Sequence, residues 1–150
     1  MSAIAAAATL ADLSGGTLTN LQLQKILYLA QMFHLGETGE PIFVEDFKAW
    51  KLGPVLPSVY AKAKIYGSKP VTSLFINSRL PEGSGRAMLE RAYNELPKSA
   101  SRLVAITHWD GGAWAAHYND GFGSTIPKEA ILDEYHAREA AHASRQAQPS

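Results

Sequence analysis

The sequence predicts a mainly α-helical, single compact domain with a minor, short β element. Three observations carry that prediction. The chain has 150 residues, 46% hydrophobic and 19% charged, the composition of one globular domain. Its apolar residues recur at helical spacing in segments bounded by caps and glycines. The β-compatible stretches are confined to the interval between Gly36 and Gly53. A chain of 16.2 kDa can bury roughly two-thirds of its unfolded surface, enough for one core.

The first predicted element is an alanine-rich helix over Ile4 to Leu13, closed by Gly15 and Gly16. Thr19 or Asn20 caps a second helix that runs to Leu35, with Gly36 and Gly39 as stop signals. Along it Leu23, Ile26, Leu27, Ala30 and Phe33 share one face, while Leu21, Tyr28, Leu29 and Met32 cover another part of the circumference. A helix apolar on that much of its surface belongs at the centre of a fold. Pro41-Ile42-Phe43 and Phe47-Lys48-Ala49-Trp50 read as two small strands or an extended pair. Gly53-Pro54 is expected to open a helix ending near Gly67, with Leu56, Val59, Tyr60, Ala63 and Tyr66 inward and Lys62 and Lys64 in solvent.

Residues 68–83 hold turn-forming residues and read as irregular, with Leu74-Phe75-Ile76 tucked onto the core. Ser84 or Gly85 starts a helix to Leu96, which Pro97 ends, and Ser99 starts another to Trp109. Asp110-Gly111-Gly112 breaks the chain before a short turn containing Trp114. Thr125 is expected to cap the last helix, with Pro127 near its first position, Glu129 in its first turn, and Ile131, Leu132 and Tyr135 as core contacts. Beyond Ala143 nothing large remains to bury, and 144–150 reads as a frayed tail.

Charge narrows the functional classes. Fourteen basic residues balance fourteen acidic ones, which disfavours a protein built to grip phosphate backbones. The balance is uneven along the chain: residues 1–47 have one Lys against five acids, 48–98 nine bases against three acids, and 99–150 four bases against six acids. The basic middle is either a solvated face or a surface for an acidic partner. Cysteine is absent, which removes disulfides, thiolate metal sites and cysteine nucleophiles. No apolar run approaches the ~20 residues of a membrane-spanning helix, and the alanine-rich start lacks the basic flank of a signal peptide. The expected location is cytoplasmic.

Several constellations could carry chemistry. His108, Asp110 and His117 are metal-ligand types within one short segment and would suit a small metal-dependent hydrolase, but two glycines interrupt them and the tryptophans beside them suggest a packed corner. Ser101 with His108 and Asp110 lacks a nucleophile elbow. Gly83-Ser84-Gly85-Arg86 precedes a helix without the pattern of a phosphate loop. Lys25 falls in an apolar sector of the second helix, so it either snorkels to water or is a buried charge holding an acidic group or a helix C-terminus. Trp50, Tyr60, Tyr66, Lys48, Lys51, Lys62 and Lys64 interleave aromatic rings with cations, a combination that serves protein interfaces or single-stranded nucleic acid. The alternative is core aromatics with solvated lysines.

The segment Leu23-Gln24-Lys25-Ile26-Leu27-Tyr28-Leu29-Ala30-Gln31, followed by Pro41-Ile42-Phe43 and then Ala49-Trp50-Lys51-Leu52-Gly53-Pro54-Val55-Leu56-Pro57-Ser58-Val59-Tyr60, resembles the Panacea domain. This is the family of SocA-type antitoxins and phage-associated GepA-like proteins. Thr107-His108, Trp114 and Ile126-Pro127-Lys128-Glu129 extend a looser likeness to about residue 136. The resemblance divides the chain into an Ala-rich N-terminal helical segment (1–17), a Panacea-like helical domain (18–143) and the tail.

It implies a bacterial or phage-encoded protein of a toxin–antitoxin system, without catalytic activity or cofactor. Such a protein neutralises a cognate protein toxin by direct binding or as a proteolytic adaptor for an ATP-dependent protease such as ClpXP. Under that resemblance Lys25, Tyr28, Trp50, Gly53 and Pro54 are structural motif residues. Lys48, Lys51, Tyr60, Lys62, Lys64 and Tyr66, read from the basic aromatic group, are the candidate partner-binding residues. The roughly 18 residues ahead of the core are too few for a helix-turn-helix module, so operator binding is not expected.

Overall fold

The computed structural model describes residues 1–119 and 123–147. Among them, the fold has seven helices and a small antiparallel sheet: α1 (Ala3–Leu13), α2 (Asn20–Thr38), β1 (Phe47–Trp50), β2 (Gly53–Val55), α3 (Pro57–Ala63) with a 3-10 turn at Lys64–Tyr66, α4 (Ser84–Glu95), α5 (Ala100–Thr107), α6 (Ala113–His117), β3 (Ser124–Ile126) and α7 (Lys128–Ala147). The mainly α class with a minor β element is what the patterning predicts.

Helix α2 is the axis of the fold. Thr19 and Gln22 form a reciprocal capping box at its start, satisfying two backbone N–H groups that the helix cannot. Gly39, at φ 79°, ends it in the left-handed conformation. Every residue from Leu23 to Met32 is buried, and α1, α3, α4, α5, α7 and β2 all pack against this helix. Helix α1 is no loose arm. Its alanines Ala3, Ala5, Ala6, Ala7, Ala8 and Ala11 are buried with Leu10, and the short side chains let it lie against α2, α3 and α4.

Strand β1 is central in the sheet order β2-β1-β3. Trp50 faces Gly53 across the hairpin, and Phe47 and Lys48 face Ile126 and Thr125 of β3. After α3 the chain crosses back along α1 as an irregular strap, residues 68–83. Val71 N–H donates to Leu18 O at 2.7 Å, Leu80 N–H donates to the buried Thr9 hydroxyl at 2.9 Å, and Arg79 pairs with Asp12.

The structure corrects several sequence expectations. Pro41-Ile42-Phe43 is not a strand. The Gln31 side chain takes its backbone bonds instead, accepting from Ile42 N–H at 2.7 Å and donating to Phe43 O at 3.0 Å, so no ladder partner is needed. Gly53-Pro54 does not open a helix: both residues lie in β2, and the helix begins at Pro57, which occupies the first position that tolerates proline.

Thr125 is not a cap but a strand residue, whose hydroxyl accepts from Lys48 Nζ at 2.6 Å. Gly36 does not stop α2; it lies inside the helix, where the Tyr135 ring occupies the space a Cβ would need. Of the three residues expected to be tucked in, Leu74 is buried and Ile76 half-buried, but Phe75 is 84% exposed with φ 54°. Tyr60 and Tyr66 are not core residues either: Tyr60 is 38% exposed and Tyr66 half-buried. Helix α7 continues past Ala143 to Ala147, with exposed side chains over 142–146; the rest of the tail lies outside the described residues.

Candidate partner-binding site

Four buried polar side chains on α2 hold four different parts of the chain. Gln24 binds Leu56 through both halves of its amide, accepting from Leu56 N–H at 2.8 Å and donating to its carbonyl at 3.4 Å. Gln31 does the same for Ile42 and Phe43. Lys25 Nζ donates to Pro54 O at 2.9 Å. Tyr28 donates its hydroxyl to Glu134 Oε1 of α7 at 2.6 Å. Three of these latches fix the backbone between α2 and α3, and the fourth, Tyr28, fixes α7. A buried polar group without a partner costs about 1–3 kcal/mol, so each latch decides where its segment lies.

Lys25 neither snorkels nor holds an acid. It is 1% exposed, its ammonium meets a strand carbonyl, and burial pulls its pKa down to about 7. Gly53 leaves it room: a Cβ there would lie 2.9 Å from Lys25 Cε and 3.1 Å from Thr107 Oγ1, at a φ of 119° that side chains rarely adopt. Gly53 and Pro54 thus form the socket for Lys25.

Glu134 was not singled out by sequence. Its side chain is fully buried, accepts from Tyr28 and from Ala113 N–H (2.8 Å), and pairs with Arg138 at 2.8 Å. Arg138 in turn donates to Ile106 O and covers the Trp109 ring, so one carboxylate ties together α2, α5, α6 and α7. Burial and the Glu134 charge together push the Tyr28 hydroxyl well above its ordinary pKa. The signal was present: Glu134 follows Ile131 by three positions on the inward face and precedes Arg138 by four.

The predicted partner-binding residues lie on the β1–β2 hairpin and on α3 with the turn that follows it. Lys51, Lys62 and Lys64 are exposed, and Tyr60 stands partly exposed, edge-to-face with Trp50 at 5.0 Å between ring centres. Trp50 is half-buried. Two of the six are engaged internally. Lys48 bonds Thr125, and the Tyr66 hydroxyl donates to Ser73 O at 2.6 Å and accepts from Ser73 N–H at 3.1 Å, clamping the strap.

His108, Asp110 and His117 are used differently. His108 stacks on Trp114 at 3.7 Å, with Nε2 buried and without a hydrogen-bond partner. Burial lowers its pKa, the backbone of Leu52 acts in the opposite sense, and Lys25 nearby adds to the lowering. The His117 Nδ1 lies 2.9 Å from Ala113 O, and Asp110 is exposed. Among the described residues no group of three His, Cys, Asp or Glu side chains is placed to hold a metal ion. Ser101 Oγ bonds Ser99 Oγ at 3.1 Å. Ser84 Oγ lies 2.9 Å from His34 Nε2, so the Gly83–Arg86 turn is tied to α2.

Fold and site together define a small helical domain whose central helix latches a hairpin and presents a basic, aromatic surface beside it. The chain belongs to the SocA-like antitoxin family: the family model "Antitoxin SocA-like, Panacea domain" matches residues 23–115, which include the four latching side chains of α2 and the β1–β2 hairpin. It is 32% identical over 135 residues to Antitoxin SocA of Caulobacter vibrioides (strain NA1000 / CB15N), covering 79% of this chain and 72% of that protein. No solved structure matches the chain. No helix among the described residues is long and apolar enough to cross a membrane.

Proposed function

We propose that this protein is the antitoxin of a toxin–antitoxin system and that it neutralises a cognate protein toxin by binding it through the surface formed by the hairpin and α3. The observation that carries the proposal is family membership together with the 32% identity to an antitoxin. The surface supports it. Lys51, Lys62 and Lys64 are exposed cations beside Tyr60, and aromatic residues with cations at their edge are common anchors of protein interfaces. In this reading the protein acts without chemistry of its own: it blocks the toxin, or delivers it as an adaptor to an ATP-dependent protease such as ClpXP. The toxin, like the antitoxin, is a cytoplasmic protein.

The test is co-expression with the product of the adjacent open reading frame and purification through a tag on this chain. A stable complex that restores growth is the expected result. A harmless neighbour and an empty pull-down would refute the antitoxin role. Toxin half-life in cells with and without the protease separates the two modes: an adaptor shortens it only when the protease is present, whereas a blocking antitoxin leaves it unchanged.

A further inference from the structure

A cleft of about 500 Å³ opens between the start of α2, the β1–β2 hairpin and α3. Its walls are Leu21, Trp50, Leu52, Val55 and Tyr60, and Lys51 stands at its rim. Leu52 is 53% exposed, an uncovered aliphatic side chain at the mouth of an apolar hollow. Its shape is set by the edge-to-face contact of Trp50 with Tyr60 and by the Gln24 and Lys25 latches behind the hairpin.

The segment that supplies most of its lining carries charge of one sign. Between Asp46 and Glu82 the chain contains no acidic residue but carries Lys48, Lys51, Lys62, Lys64, Lys69 and Arg79. Arg79 is used by Asp12, whereas among the described residues Lys51, Lys62, Lys64 and Lys69 form no ion pair, and no Asp or Glu lines the cleft. Elsewhere four cations are matched among the described residues: Arg86 with Glu90, Arg91 with Glu37, Lys128 with Asp46 and Arg138 with Glu134. An apolar hollow with an unpaired cation at its rim, on a chain segment of uncompensated lysines, is complementary to a segment of opposite charge with an apolar anchor.

We infer that the cleft takes one large apolar side chain from a partner protein segment that carries carboxylates beside that anchor. If the proposed function is right, the segment belongs to the toxin, and the inference deepens that reading by giving the recognition element its chemistry. Burying a large apolar side chain is worth about one to two orders of magnitude in affinity. The lysines add association rate and select against basic partners. Single-stranded nucleic acid is the weaker fit, because backbone binding favours a clear basic excess and the fourteen basic residues here are balanced by fourteen acidic ones.

The experiment pans a random peptide library displayed on phage against the purified full chain, then measures the enriched peptides by fluorescence anisotropy. Enriched peptides are expected to place Trp, Phe, Leu or Met next to Asp or Glu. They should lose about tenfold or more in affinity on Leu52→Asp and about tenfold on Lys51→Glu, while Arg145→Glu at the far end of α7 leaves them unchanged. Because Leu52 and Lys51 are exposed, unchanged melting temperatures are expected, and they establish that the loss is local. Failure to enrich, enrichment of basic peptides, or equal binding to Leu52→Asp overturns the inference. So does an oligodeoxythymidine probe that binds more tightly and is sensitive to the same two substitutions. A toxin complex indifferent to Leu52→Asp overturns the cleft while leaving the antitoxin role standing. Cleft-dependent peptides from a protein that rescues no toxin sink the antitoxin role alone.

Discussion

The α2 core and the exposed face of the hairpin and α3 both contain lysines and aromatic rings, and they use them in opposite ways. On α2, Lys25 and Tyr28 are buried, each with one defined partner, and their chemistry goes into fixing the fold. On the hairpin and α3, Lys51, Lys62 and Lys64 are exposed, and Tyr60 stands partly exposed against Trp50. Residue type alone does not separate the two regions. What separates them is whether a buried polar group nearby needs a partner. Changes in the first region should register as stability, and changes in the second as association.

The largest effect is expected at Glu134. Glu134→Ala leaves the Tyr28 hydroxyl, Ala113 N–H and the Arg138 guanidinium without their shared acceptor, and loss of one partner of a buried pair costs about 3–5 kcal/mol. Urea unfolding measures it, and a loss below about 1 kcal/mol would show that the network is not a support. Next comes Gly53→Ala, which combines a rarely populated φ with a contact on Lys25; about 2 kcal/mol of destabilisation is expected in the same assay. Thr19→Ala removes half of the capping box and should cost about 1 kcal/mol.

Lys25 gives a comparison in pH instead of in size. Its pKa is about 10.4 in an unfolded chain and about 7 in the folded one. The unfolded state therefore binds the extra proton between those values, and folding stability contributed by this group rises with pH from about 7 to about 10. Below that window the lysine is charged in both states and its burial cost is fully present. Lys25→Met removes the titrating group, so the stability of the native protein relative to this variant should climb across the window. A flat difference would mean that the ammonium stays charged when buried.

The smallest effect on stability is expected on the exposed face. Lys62→Glu and Lys64→Glu should change unfolding by no more than about 0.5 kcal/mol, while slowing toxin association about tenfold and flattening its salt dependence. Stopped-flow association at several salt concentrations checks this. An unchanged on-rate and salt slope would remove these two lysines from the contact and would break the division between the two regions.

Much of the fold was legible because its signals are local. Thr19, Gly39, Ser99 and the Pro97 break act through their own backbone or through one helical turn, and each bounds an element near where the sequence suggests. The misplaced elements depend on distant residues. Ile42 and Phe43 have strand composition but find their hydrogen bonds on Gln31. Gly53-Pro54 has the look of a helix start, yet it pairs with Trp50 and Ala49 across the hairpin. Of the candidate interface, the exposed lysines could be read from charge alone, whereas the internal use of Lys48 and Tyr66 depends on Thr125 and Ser73.

The sequence by itself determined the helical class, the central place of α2 and the basic stretch without an acid, because periodicity, capping and charge count are properties of neighbours along the chain. Tertiary structure alone decided that Lys25 would rest on a carbonyl in a glycine socket, that Glu134 would gather three helices around Tyr28, and that Leu52 and Tyr60 would frame a cleft. Those outcomes depend on which buried polar groups come within about 3 Å of one another, and that distance is set only when segments far apart in sequence are packed together.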